Sequence, residues 1–165
     1  MIRVIEDKNE KENISRAILS QLPEWFGLPD SMNKYISCSK EMPFWVYFDA
    51  EKPIGFITLK ETGEFAAEIY VMGVLKGYHR KGIGNRLWKV FLQYAQKKGY
   101  EYVQVKTVKK GYYKEYDIAN AFYEKLGFRE LECFPTLWDE WNPCQVYVRC
   151  IKTEVVKDDS TNISV

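Results

Sequence analysis

Apolar and polar positions alternate along this chain in a way that separates strands from helices. Ile2–Ile5 is a short apolar run that predicts a first strand. Asn9 with Glu12 three positions on has the form of a capping box, and Ile14, Ala17, Ile18 and Leu22 then recur at helical spacing until Pro23 stops them. The segment 22–27 is predicted as a turn carrying Trp25 and Phe26, with a second helix over Asp30–Cys38. Phe44–Phe48 and Ile54–Leu59, joined by the turn residues 49–53, form a hairpin signal, and Phe65–Val74 is a longer strand. In the next helix Ile83, Leu87, Val90, Phe91, Tyr94 and Ala95 make one apolar stripe, closed by Gly99. Tyr102–Val108 is a strand. Asp117 is the expected N-cap of a short helix ending at Leu126-Gly127. Phe128–Phe134 and Gln145–Ile151 are paired strands joined by a loop over 135–143. The order β-α-α-β-β-β-α-β-α-β-β predicts a mixed α/β (α+β) domain over residues 1–151, followed by a polar tail over 152–165.

Length and composition narrow the chemistry. The chain has 165 residues, enough for one core, with 46% hydrophobic and 28% charged residues, as in ordinary globular proteins. No apolar run approaches the length of a membrane span, and the acids Glu6 and Asp7 stand where a signal peptide would be apolar. The expected compartment is the cytoplasm. The single histidine, His79, excludes two-His zinc sites and makes a His-dependent hydrolase triad improbable, so no metal is expected. Cys38, Cys133, Cys144 and Cys150 contain no Cys-x-x-Cys pair and read as buried thiols.

Charge is balanced overall at +1 but not along the chain. Between Lys76 and Lys114 stand eleven Lys or Arg and one acid, Glu101, a local charge of +10 against −9 for the remainder. Two readings are open: a solvated basic helix face, or a site for a compact polyanion. The second is favoured by the glycine-containing loop at a strand-to-helix junction, Gly77 to Asn85. It fails as a P-loop, because Ile83 and Gly84 replace the lysine and hydroxyl, and as a dinucleotide fingerprint, because Leu87 replaces the third glycine. It fits Arg/Gln-x-x-Gly-x-Gly/Ala at a helix start, where glycines, exposed N–H groups and the helix dipole favour an anion.

That loop, the strand Ala67-Glu68-Ile69-Tyr70-Val71-Met72-Gly73-Val74 and the helix Ala119-Asn120-Ala121-Phe122-Tyr123-Glu124-Lys125-Leu126-Gly127-Phe128 occur in an order and spacing that resemble the GNAT superfamily of acetyl-coenzyme A-dependent N-acetyltransferases. The resemblance implies a central, mixed and mostly antiparallel sheet flanked by helices, with acetyl-CoA as donor co-substrate. It implies that backbone groups of Met72, Gly73 and Val74 pair with the pantetheine arm where two central strands splay. His79, Arg80, Lys81, Gly82, Ile83, Gly84 and Asn85 would bind the pyrophosphate, and Asn120 joins the cofactor-binding set. Tyr123 falls where the family often keeps the acid that protonates the departing thiolate; Glu68 falls where some members carry a general base. His79 and Tyr116 depart from the family pattern, which has Arg or Gln and an asparagine there.

Each assignment competes with a simpler role: Glu68 as a salt-bridged strand residue, Tyr123 as a core tyrosine, and the aromatics as core closure. With no cysteine placed near the reaction centre, direct attack in a ternary complex is preferred to an acetyl-cysteine intermediate. For the acceptor, Trp25 and Phe26, with Trp138 and Asp139 in a stretch that has four acids and no Lys or Arg from Glu130 to Cys144, suggest a small cationic amine. A protein or peptide amine, a non-catalytic acetyl-CoA-binding module and a nucleic-acid binder are the alternatives, the last disfavoured. Neither nucleic acid nor membrane is an expected partner, and a homodimer is left open.

Overall fold

The computed structural model describes residues 1–153. Seven strands form one sheet in the order β1-β2-β3-β4-β5-β7-β6: β1 (Ile2–Val4), β2 (Phe44–Asp49), β3 (Lys52–Gly63), β4 (Ala66–Val74), β5 (Tyr102–Val108), β6 (Arg129–Asp139) and β7 (Asn142–Cys150). Five helices accompany it: α1 (Lys8–Leu19), α2 (Pro23–Phe26), α3 (Pro29–Ser39), α4 (Ile83–Lys97) and α5 (Lys114–Lys125). All pairings are antiparallel except β4 with β5. This is the mixed, mostly antiparallel sheet expected from the sequence, in the expected element order, with two extra helical turns, α2 and a 3-10 turn over Lys76–Tyr78. Among the described residues no helix is long and apolar enough to cross a membrane.

Several boundaries differ for local chemical reasons. Asp7 rather than Asn9 caps α1, its carboxylate accepting from the Glu10 amide at 2.7 Å. Pro23 does not end α1, which stops at Leu19; it opens α2, where a missing N–H costs nothing. Helix α5 begins at Lys114, so Asp117 lies inside its first turn and caps no helix; its carboxylate accepts from the Gly111 amide at 2.7 Å. The expected loop over 135–143 is a β-hairpin arm turning at Glu140-Trp141. Most of the predicted tail lies outside the described residues.

The single parallel pairing decides where a ligand can enter. Strands β4 and β5 pair only from Ala66–Ile69 against Tyr102–Val105, although they run on to Val74 and Val108. Beyond that vertex they separate, as the sequence resemblance implies. A bulge in β4 lies at the same level: Ile57 faces Met72 but Leu59 faces Ile69, so Thr58 stands opposite both Tyr70 and Val71. The Thr58 hydroxyl accepts from the Val71 amide and donates to the Val71 carbonyl, each at 3.2 Å, restoring both bonds the bulge removes. The bulge also resets the alternation of faces. Tyr70 packs on Tyr35 of α3, yet Gly73, three residues on, lies under Ile18, Leu19 and Leu22 at the end of α1.

Thr58 is fully buried, so Thr58→Val should strand a backbone donor and acceptor without opening a cavity. We expect a loss of about 1–3 kcal/mol in urea-induced unfolding. An unchanged midpoint would mean that the bulge is held by something other than this hydroxyl.

Candidate functional site

At the open end of the splay, β4 runs into a 3-10 turn over Lys76–Tyr78 and then the loop that starts α4. Arg80 (φ 60°) and Gly82 (φ 76°) both adopt left-handed backbone conformations. Turns of this kind direct successive N–H groups to one side, and such concavities attract anions. Glycine takes the conformation freely, whereas Arg80 holds it at a cost of about 1 kcal/mol. The first intrahelical bond of α4 runs from Arg86 N to Gly82 O, so the amides of Ile83, Gly84 and Asn85 lie ahead of it without a helical partner. Exposed Arg80 and Lys81 add full charges.

Gly84 serves a different need from the one the sequence pattern suggests. A Cβ there would lie 3.0 Å from Phe122 Cε2 and Cζ and 3.3 Å from the Met72 methyl. Its lack of a side chain therefore lets α5 approach α4 and β4. Gly84→Ala gains about 1 kcal/mol in helix propensity but incurs overpacking of about 1–3 kcal/mol against an aromatic ring. The clash should win. We expect a lowered Tm and, because Tyr123 adjoins Phe122, reduced turnover. An equal or higher Tm would show that Phe122 yields freely.

His79 closes the end of β4. Its Nε2 lies 2.6 Å from the Val74 carbonyl, and since a carbonyl only accepts, Nε2 carries the proton. The imidazole thus holds a backbone group that the sequence reading reserves for the pantetheine arm. Trp25 stacks edge-on against the ring, 6.0 Å between centroids. From there α2 spans both walls of the splay. Glu24 pairs with Lys76 on the loop side. On the α5 side, Trp25 Nε1 donates to the Glu115 carbonyl at 3.1 Å and the Tyr116 hydroxyl donates to the Trp25 carbonyl at 2.8 Å. Tyr116, where the family pattern has asparagine, is therefore a strut that fastens α2 to α5.

Asn120, one turn on, is buried. Its amide N–H groups reach the carbonyls of Val108 at 2.9 Å and Tyr116 at 2.6 Å, which fixes the amide orientation. Its Oδ1 is buried with no partner among the described residues. A buried acceptor left open is costly, and it suits an N–H of a bound carrier.

At the vertex stands Glu68, buried on β4 with Lys60 across from it on β3 and Gln104 on β5. Its Oε1 accepts from Gln104 Nε2 at 3.4 Å and lies 3.3 Å from Lys106 Nζ. Tyr35 and Tyr70 lie within reach of its charge, and Tyr116 and Tyr123 lie near Tyr35. Burial, with smaller contributions from Glu68 and Cys144, pushes the Tyr35 phenol above its usual range. Tyr70 is pushed up by burial and by its contact with Cys38. Burial pushes Tyr116 up to about 12 and holds Tyr123 well above the ordinary range. Tyr123 is wedged between Phe122, Phe128 and Tyr147, with centroid distances of 5.5, 6.0 and 6.4 Å. Its hydroxyl donates to no other described residue. A phenol so held stays protonated at neutral pH with its proton uncommitted. Of the four cysteines expected to be buried only Cys144 is; Cys38 and Cys133 are half-buried and Cys150 is exposed. Burial pushes the Cys144 thiol up to about 11, so it stays neutral.

The four residues singled out for the acceptor are not brought together by any direct contact. Trp25 and Phe26 pack on the core, Phe26 also on Tyr35. Trp138 is exposed on the β6–β7 arm, while the Asp139 carboxylate accepts from the Trp141 amide and from Asn142 Nδ2, each at 2.9 Å. The residues sequence reasoning missed are Tyr35, Tyr70, Gln104 and Lys106. Alternation along β5 puts Gln104 and Lys106 on one face, but nothing local pairs that face with Glu68.

The sequence profile of the acetyltransferase (GNAT) family matches residues 12–128. The chain belongs to the GNAT acetyltransferase family. Enzymes of this family take their acetyl group from acetyl-CoA. The chain is 28% identical over 102 residues to YsnE of Bacillus subtilis strain 168, described as an uncharacterized N-acetyltransferase; the match covers 62% of this chain and 66% of that one, just under two thirds. The ribosomal-protein-S18-alanine N-acetyltransferase from Escherichia coli superposes with a TM-score of 0.72 at 17% identity, covering 95% of this chain and 98% of that one. An aminoglycoside 6'-N-acetyltransferase complexed with coenzyme A gives 0.71 at 18% identity, covering 93% and 98%. At these identities the two structures establish the shared fold, and their acceptors differ from each other.

Proposed function

We propose that this GNAT protein is an N-acetyltransferase that moves an acetyl group from acetyl-CoA to a primary amine by direct attack in a ternary complex. The observation that carries the proposal is the opening of β4 from β5 beyond Ile69 and Val105, with unpaired α4 amides at its mouth and Glu68 at its vertex. The pyrophosphate would sit on the loop from His79 to Asn85, and the pantetheine arm would follow β4 along Met72–Val74, taking the Val74 carbonyl over from His79. An amine attacks only when neutral, while a free alkyl ammonium has a pKa near about 10.4, so a base must take a proton. Glu68 is that base. The departing thiolate receives a proton from Tyr123.

The acceptor enters as an ammonium, a small cation attracted by Glu68 and by the acidic arm, which has no Lys or Arg between Glu130 and Cys144. A peptide amine is the second reading, favoured by Leu131, Leu137, Trp138 and Trp141 standing exposed on that arm. Following free-thiol release from acetyl-CoA over a panel of diamines, amino sugars and short peptides tests both. Turnover with diamines supports the first reading, and turnover with peptides alone moves the acceptor to the second. Cofactor binding with no turnover on any amine would leave a binding module, and no cofactor binding would remove the proposal.

A further inference from the structure

The amine closest to the proposed base belongs to the protein itself. Lys106 lies on β5 one residue past Val105, the last residue paired with β4. Its Nζ is 3.3 Å from Glu68 Oε1, and its side chain is 37% exposed, so the amine is both engaged and reachable. Register sets its height: Ile69 is opposite Val105, which puts Lys106 level with Tyr70 and the bulge. A carrier arm entering at Val74 and following β4 to Tyr70 covers about 13 Å at ~3.3 Å per residue, the order of length of an extended pantetheine arm. The carrier's thioester would thus arrive at the height of the Lys106 amine. Lys60 stands across from Glu68 in register, but its Nζ lies over the Tyr70 ring, 5.5 Å from the centroid, and forms no ion pair with Glu68.

We propose that Lys106 is a self-acetylation site, modified in cis by the chain's own acetyl-CoA when no acceptor amine is bound. The proposal rests on the acetyltransferase reading above. One proton passes from the Lys106 ammonium to the Glu68 carboxylate and on to solvent. The Nζ lone pair then forms the N–C bond to the thioester carbonyl, and the C–S bond breaks with its electron pair on sulfur. Tyr123 protonates that sulfur and is made whole by the second proton, shed from nitrogen as the amide forms. The product is a neutral acetyl-lysine that no longer pairs with Glu68 and fills the approach to it, so a modified chain should turn over external amines more slowly.

Intact-mass spectrometry of the full-length protein incubated with acetyl-CoA alone is the test. We expect a gain of one acetyl group, about 42 Da, mapped by peptide sequencing to Lys106. Its rate constant should not change with protein concentration, should fall at least tenfold in Glu68→Gln, and should fall when an accepted amine is added to the wild type. Acetyl spread evenly over exposed lysines such as Lys97 and Lys98, or insensitive to both Glu68→Gln and the competing amine, would overturn the proposal as ordinary solution chemistry. Thiol release with external amines but no gain at Lys106 would overturn it while leaving the acetyltransferase reading intact. No thiol release with any amine, and no heat on titration with acetyl-CoA, would remove both.

Discussion

Replacing Tyr123 by Phe is expected to lower turnover by about 10²- to 10⁴-fold, the range a positioned general acid contributes, while acetyl-CoA affinity changes little. The ring is held by Phe122, Phe128 and Tyr147, so Phe should keep the packing and remove only the hydroxyl. That hydroxyl donates to no other described residue, so its loss should leave no partner unsatisfied. Burial keeps the phenol protonated far above neutral pH, which makes it a donor across the working range. Steady-state kinetics paired with calorimetry separates the two effects. Turnover within a few-fold of wild type would remove Tyr123 from the acid role, and weakened cofactor binding with unchanged turnover would recast it as a wall of the binding site.

Glu68→Gln is expected to reduce kcat/KM by about a hundredfold or more, again the scale of general-base catalysis. Gln keeps the shape and can still meet Gln104, but the charge facing Lys106 is gone. Lys106 is exposed and can turn to solvent once the carboxylate is gone, so only a small loss of stability is expected as well. Rescue distinguishes chemistry from packing. Glu68→Asp, which keeps a carboxylate, should recover part of the turnover lost in Glu68→Gln. No recovery, with the loss carried by KM rather than kcat, would make Glu68 a positioning residue.

Much of the fold was legible because its strongest signals are local. The helical period in α4 is unmistakable from Ile83 to Ala95, although Trp88 escaped the stripe and lies buried against Phe91 and Phe128. The arm over 135–143 was hidden by its prolines. Pro135 is tolerated because β6 is an edge strand and its register with β7 is interrupted between Phe134 and Asp139. The loop before α4 could be read from glycine and charge alone. The floor of the splay could not, because Tyr35 meets Tyr70 only through the packing of α3 on β4, and Lys106 meets Glu68 only through the parallel register. Nor could the sequence separate the two uses of glycine within one motif: Gly82 supplies a left-handed turn, whereas Gly84 supplies room for Phe122. The basic segment was likewise less free than its count suggested, since Lys76, Lys106 and Lys110 pair with Glu24, Glu68, Glu124 and Glu130.

The gap between β4 and β5 has a thermodynamic corollary. A sheet interrupted at its centre is an unfinished ladder, and a donor whose amides complete it behaves as an eighth strand that belongs to folding as much as to catalysis. Occupancy and conformational stability are then linked. At a hundredfold excess over Kd a ligand bound only by the native state adds about 2.7 kcal/mol. The melting temperature should climb with donor concentration, and hydrogen exchange should slow along Tyr70–Val74 if the donor pairs there as proposed.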